Sequence, residues 1–322
     1  MRLILAIDGS ASSTAARDLV RRLPWPPGTT IDLVAAYEMP SAWAYEGAMV
    51  GEWITAVEDS MRTMAIDELA AVAESFVGTD LVIEQHVIQG RAANVILARA
   101  AATEPDLIVL GSRGRGPIRS MLLGSTSAEV ARQADQSVLV VRGSTVGSVL
   151  VATDGSRSAE ETSDLLCMWG ILDGLPTVAL SVAPVSSPTY ELAVSLYTLG
   201  NEPIEMQRQE AMDLHQAHAK EMARQLSESG IPAEWQVRTG DAAHEILELA
   251  RERKDDLIIT GSRGLRGADE VPLGSVARNV LLHAEASVLI VRPGVDATPR
   301  PDGTTRQQAE SRERPLVRSG RL

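Results

Sequence analysis

A single cysteine, Cys167, stands in 322 residues, so the chain carries no intrachain disulfide framework. It falls in DLLCMWGIL, an apolar helical run, and reads as a small buried hydrophobe. Long apolar runs are missing as well: no stretch reaches the roughly 18 residues of a membrane helix. MRLILAIDGS begins apolar, but Asp8 interrupts it too early for a secretory leader, and it reads as a first strand. Positive charge is scarce: 30 Lys and Arg face 43 Asp and Glu, for a formal net charge of −13. That argues against general nucleic-acid binding, which needs a basic face. It does not exclude a nucleotide, which a few N–H groups and arginines can hold locally. Metal-ligand spacing is also lacking among His86, His215, His218, His244 and His283. His215 and His218 are i, i+3 on a helix, too few ligands for a zinc site, and read as surface residues. No Gly-x-Gly-x-x-Gly follows the first strand, which argues against a Rossmann dehydrogenase. The expectation is a two-domain cytoplasmic protein with no membrane and no nucleic-acid partner.

What is present is a repeat. Residues 111–125 read GSRGRGPIRSMLLGS and residues 261–275 read GSRGLRGADEVPLGS, an offset of 150. Both fit Gly-x2-Gly-x9-Gly-Ser. With Gly near 7% of ordinary sequence, one copy arises by chance in roughly one such chain per hundred. Two copies with matching flanks mean a tandem duplication. DLIVL and DLIIT precede the copies; SVLVVR (137–142) and SVLIVR (287–292) follow them. Glycine lets a backbone approach a ligand closely and take positive φ. A turn after a strand gathers N–H groups into an anion-sized concavity. Gly124-Ser125 and Gly274-Ser275 sit where a helix should begin, and its free N–H groups and dipole favour phosphate oxygens. The plain alternative is that the glycines only make turns and the serines only cap helices.

The repeat runs further. RLILAIDGSASS (2–13) matches SVLVATDGSRSA (148–159), and IDLVAAYE (31–38) matches TVALSVAP (177–184). Glu52–Val77 and Glu205–Ser229 read as long helices. LVIEQHVIQGRAANVI (81–96) and AEWQVRTGDAAHEIL (233–247) each read as strand, Gly, helix. Each unit is therefore β-α-β-α-β-α-β-α-β, an α/β unit with a parallel, doubly wound sheet. The boundary falls at STVGS (144–148), giving units 1–144 and 148–293 and a disordered tail 294–322. The last strand of each unit should lie at a sheet edge, and an unpaired apolar edge needs covering. The loop Met39–Gly51, with Trp43, Tyr45 and Met49, could cover a ligand, but is expected to pack on its own unit.

This pattern resembles the universal stress protein family in its tandem, ATP-binding form. Asp8-Gly-Ser, Gly111-x2-Gly114-x9-Gly124-Ser125 and their second-unit counterparts carry the resemblance, which covers nearly all of 1–293. It implies two five-stranded adenine-nucleotide α-hydrolase-like domains, paired antiparallel at their last strands as an internal pseudo-dimer. ATP with Mg²⁺ would lie across the carboxyl ends of the strands, where open α/β sheets bind ligands. Carried over by position, Asp8 would meet the ribose and the backbone of Ala36 the adenine. Gly111, Arg113, Gly114, Gly124, Ser125, Thr126 and Ser127 would surround the phosphates. In the second unit the counterparts are Asp154, Val182, Gly261, Arg263, Gly264, Gly274 and Ser275. There Thr126-Ser127 become Val276-Ala277, and Asp269 and Glu270 replace Arg119 and Ser120 in the spacer. The second site is therefore expected to be the weaker. The implied role is regulatory, with slow ATP hydrolysis at most and a homodimer as the assembly. The rival is an ATP pyrophosphatase or nucleotidyl-transfer enzyme of related fold. Those carry Ser-Gly-Gly-x-Asp-Ser after the first strand, whereas this chain has DGSASS (8–13). Asp8 and Asp154 also have a purely local reading, as turn formers before a helix.

Overall fold

The computed structural model describes residues 1–39, 51–114, 123–185, 202–262, 264 and 273–292, with the backbone alone at 51–53 and 202–203. Trp43, Tyr45 and Met49, both loop spacers, Arg263 and the tail 294–322 lie outside them. The first unit runs β1 (Arg2–Ile7), α1 (Ala11–Arg22), β2 (Thr30–Tyr37), α2 (Gly51–Glu74), β3 (Val82–Gln89), α3 (Ala92–Thr103), β4 (Leu107–Gly111), α4 (Ser125–Gln133) and β5 (Ser137–Val141). The second repeats it as β6 (Val149–Ala152), α5 (Arg157–Trp169), β7 (Thr177–Ala183), α6 (Glu202–Glu228), β8 (Ala233–Thr239), α7 (Ala242–Arg253), β9 (Leu257–Gly261), α8 (Ser275–His283) and β10 (Ser287–Val291).

The ten strands of the described residues form one sheet, in the order β3-β2-β1-β4-β5-β10-β9-β6-β7-β8. Within each unit every pair is parallel. The units join where β5 meets β10 antiparallel, with Val140 opposite Val288, Leu139 opposite Leu289 and Val138 opposite Ile290. The edge that needed covering in each unit thus covers the other. The central strands are apolar on both faces because helices lie on both. Leu3, Leu5 and Ile7 point to the layer holding α1, α2, α5 and α6, which Leu19, Leu69, Leu166 and Leu226 fill. Ile4, Val138 and Val140 point to the layer of α3, α4, α7 and α8, filled by Ile96, Val130, Leu249 and Val280. Each such buried aliphatic side chain contributes about 1.5–3 kcal/mol. Among the described residues no helix is long and apolar enough to cross a membrane.

Arginines lock the seam. Arg142, just past β5, donates from Nη2 to the Leu281 carbonyl (2.7 Å) and from Nη1 to Ala286 (3.1 Å). Arg292, just past β10, donates from Nη2 to Ala131 (2.6 Å) and from Nη1 to Gln136 (3.1 Å). Ser287 Oγ accepts from the Arg142 N–H (3.1 Å) and Ser137 Oγ from the Arg292 N–H (3.0 Å). Cys167, expected buried, is only half-buried near the end of α5, with Sγ 4.0 Å from the Gln225 carbonyl.

Candidate functional site

The strand order reverses direction between β1 and β4, and between β6 and β9. Chain leaving these strands opens a crevice at their carboxyl ends. Ile7 pairs with Ala35, so Asp8 and Ala36 follow side by side at that end; Gly111 closes β4 there. The expected first-unit residues are therefore brought together.

Asp8 begins a tight turn. Its Oδ1 accepts the Ser10 N–H (3.0 Å), Gly9 takes φ 67°, and Ser10 caps α1 by accepting from Ser13 N (3.1 Å). The local role of this aspartate is real, yet it occupies only one oxygen. Oδ2 faces the Gly-rich loop: a Cβ built on Gly114 would stand 2.6 Å from it. The loop is tied to the turn, since Ser10 Oγ donates to the Arg113 carbonyl (3.1 Å), Ser12 Oγ donates to the same oxygen, and Ser12 Oγ accepts from Arg113 N (3.2 Å).

The glycines work differently from the expectation. Gly124 has φ −76°, and neither Gly111 nor Gly114 has left-handed φ. Positive φ belongs instead to Gly9 and Gly155 in the aspartate turns. The loop glycines serve close approach: a Cβ on Gly111 would lie 2.5 Å from the backbone of Ser12, and one on Gly124 would lie 3.3 Å from the Ser112 carbonyl. Gly111 thus packs β4 against α1. Gly124 opens α4 with no side-chain cap, so the N-terminal N–H groups lie at the crevice without an N-cap side chain to accept from them. Ser125 is exposed and Thr126 half-buried there; Arg113 is exposed on the same loop. Ser127 is buried, and its hydroxyl donates to the Gly111 carbonyl (2.7 Å).

The second unit repeats the frame. Asp154 Oδ1 accepts from Ser156 N (3.0 Å), Ser156 caps α5, and a Cβ on Gly264 would stand 2.4 Å from Asp154 Oδ2. Gly274 opens α8 without a side-chain cap. Val182 lies near the end of β7, beside Arg238 of β8. Exposed Ser275, half-buried Val276 and buried Ala277 follow Gly274.

Two features escaped sequence reasoning. His215 and His218 are half-buried and engaged by other elements, not solvated on the helix surface. His215 Nδ1 lies 2.8 Å from Ser181 Oγ, whose hydroxyl donates to the Thr153 carbonyl (2.9 Å). Because that hydroxyl donates elsewhere, His215 is the donor to it. Its ring stands edge-on to His218, with centroids 5.6 Å apart, and the His218 ring packs where a Cβ on Gly155 would sit. Burial and the His218 charge push His215 below the usual histidine range, and Asp154 pulls it partly back. The first unit carries Ala65 and Glu68 at an offset of 150.

The second is an ionic cluster far from the crevice. Asp32, fully buried on β2, meets Arg2 (3.1 Å) and Arg99 (2.8 Å); Arg2 also meets Glu84 (2.9 Å). Arg99 Nη2 donates to His86 Nε2 (2.8 Å). Asp32, Glu84 and His86 place ligand atoms within 4.8 Å of one another, the geometry of a metal group. Two guanidiniums already fill that space, so the cluster reads as a salt network. The hint in the sequence was an aspartate inside the apolar run IDLVAAYE.

The model of the universal stress protein family matches residues 1–142 and 145–292. A universal stress protein of Mycolicibacterium smegmatis is 25% identical over 319 residues, covering 90% of this chain and 97% of that one. The crystal structure of a universal stress protein from Archaeoglobus fulgidus covers 91% of this chain and 97% of its own, with TM-score 0.60 and 19% identity, a likeness of fold. A universal stress protein solved in complex with cAMP covers 47% of this chain and 100% of its own, at 22% identity and TM-score 0.31.

Proposed function

Since the chain belongs to the universal stress protein family, with two of its domains in tandem, we propose that it is a regulatory ATP-binding protein with little or no turnover. One observation carries this reading. In the first unit a carboxylate oxygen, a close-approach glycine and an uncapped helix N-terminus converge on one crevice. Asp8 Oδ2 suits a ribose hydroxyl. The backbone of Ala36, at the end of β2, suits an adenine edge. The N–H groups from Ser125 onward, with Thr126 and Arg113, suit phosphate oxygens. Mg²⁺ would reduce the phosphate charge there. The described residues of the first loop, 111–114 and 123–127, include no carboxylate or imidazole, and the one carboxylate we place against them, Asp8, is assigned to the ribose and not to a general base. With that assignment the reading is of retained rather than hydrolysed ATP. The assembly we propose is a homodimer with four nucleotide sites, to be read from the mass in solution by light scattering.

Calorimetry of the full chain against ATP, ADP, GTP and cAMP, each with Mg²⁺, tests the reading. Micromolar or tighter ATP binding is the expected result. Gly114→Ala should lower first-site affinity about tenfold, because its methyl displaces the Asp8 carboxylate. Gly124→Ala should cost less, since its contacts need give by only a few tenths of an ångström. Absence of adenine-nucleotide binding would end the proposal. Turnover near the enzyme median of about 10 per second would favour the enzymatic rival.

A further inference from the structure

Each phosphate-loop helix is held by both units. α4 starts uncapped at the first-unit loop, and Arg292 of the second unit grips its last turn at Ala131 and the carbonyl of Gln136 beyond it. α8 starts uncapped at the second-unit loop, and Arg142 of the first unit grips Leu281 and Ala286. An anion at a helix N-terminus and a cation at its C-terminus act on the same dipole.

Arg142 has a second connection. The Ser112 N–H donates to the Val141 carbonyl (2.8 Å), so the chain enters the first loop at Arg113 beside the point where it leaves β5 at Arg142. Among the described residues the acceptors of the Arg142 guanidinium are neutral carbonyls, and its buried Nε has no partner. Burial and the Arg113 charge together bring Arg142 down to about 10. A cation at the seam is thus held against a like charge on the phosphate loop.

We propose that Arg142 couples the two phosphate loops: an anion bound against Arg113 offsets the repulsion on Arg142 and tightens its grip on α8. The identity of the anion rests on the ATP reading; the charge coupling does not. Binding linkage is reciprocal, so whatever the ligand adds to the clasp, the clasp adds to ligand affinity.

The test uses the full chain. Without ligand, Arg113→Gln should raise the melting temperature by about 1–2 °C when Arg142 is present and leave it unchanged in Arg142→Gln. Exchange of the Arg142 guanidinium protons, followed by NMR, should slow in Arg113→Gln; this measurement needs no substitution at the seam. With ATP, Arg142→Gln should lower first-site affinity roughly fivefold, as a like-sized Coulomb term near a protein surface suggests. Arg142→Lys should restore part of it, because it keeps the charge and loses the two-pronged grip. Additive effects of the two glutamine variants, with unchanged proton exchange, would overturn the coupling. So would ATP affinity indifferent to Arg142. Non-additivity in a protein that takes up no ATP would uphold the coupling and sink only the ATP reading.

Discussion

The two units fold alike and bury different chemistry at the same place. Asp32 pairs with Ile4 and Glu84 in the first unit; Val178 pairs with Leu150 and Glu234 in the second. The position is the same and both side chains are buried, yet one anchors an ionic network and the other is core. Arg99, which reaches Asp32 from α3, becomes Leu249 on α7, and Arg2 becomes Ser148. The converse holds at the crevice, where the second unit has His215 and His218 and the first has Ala65 and Glu68. The fold thus requires only that the position be filled and satisfied. A buried ion pair can be exchanged for apolar side chains as a set, but not one partner at a time.

The sharpest way to break this comparison is to convert half the network. Asp32→Asn should cost about 3 kcal/mol, at the low end for a broken buried pair because Arg2 and Arg99 keep some solvent access. Asp32→Val with Arg99→Leu copies Val178 and Leu249, and should regain most of that loss. Arg2 and Glu84 remain to pair with each other. Chemical denaturation of the full chain gives both values. A double variant as unstable as Asp32→Asn would mean that the units are not interchangeable here.

A smaller effect should separate the two proposed nucleotide sites. The first is expected to bind more tightly, but its two extra hydroxyls do different things. Ser127 spends its donor on the Gly111 carbonyl, so Ser127→Ala should lower stability by about 1 kcal/mol and change ATP affinity little. Thr126 stands half-buried in the first turn of α4, so Thr126→Val, copying Val276, should lower first-site affinity roughly fivefold. Calorimetry resolving the sites measures this. Equal occupancy of both sites at limiting ATP would contradict the asymmetry.

The framework was readable because it rests on local and repeated signals. Apolar strand runs, alternating helices and the offset of 150 lead to two doubly wound units; the apolar SVLVV and SVLIV runs mark edges that need covering, and their antiparallel pairing was what the family resemblance implied. What stayed hidden depends on residues meeting from distant elements. Asp32, Arg2, Glu84 and Arg99 come from four elements, so no window of sequence contains them. His215 and His218 look solvated on a polar helix until Ser181 and Gly155 arrive from the strand ends. The glycines were legible as a pattern but not by cause. Gly111 is demanded by the backbone of Ser12, a hundred residues away in the chain, and not by its own φ.

The smallest expected difference is in acid sensitivity. His215 is half-buried in the folded chain, and burial and the neighbouring His218 lower its pKa below the unfolded value of about 6.5. Between that value and the lowered folded one, the unfolded chain binds more protons than the folded chain. Stability therefore rises with pH through this window, and is lost as pH falls from about 6.5 toward the folded value. Above about 6.5 His215 is neutral in both states and contributes no slope. The effect is small because solvent still reaches the ring and Asp154 offsets part of the shift. His215→Asn should flatten the slope in this range while leaving a donor for Ser181. The first unit has Ala65 at the matching position. Hydrogen exchange at β7 and β2, followed from pH 8 to 5.5, reads the units separately. Exchange should accelerate selectively at β7 on acidification, after correction for the intrinsic pH dependence. An equal response at both strands, or the same slope in His215→Asn, would show that His215 does not set the acid sensitivity of the second unit.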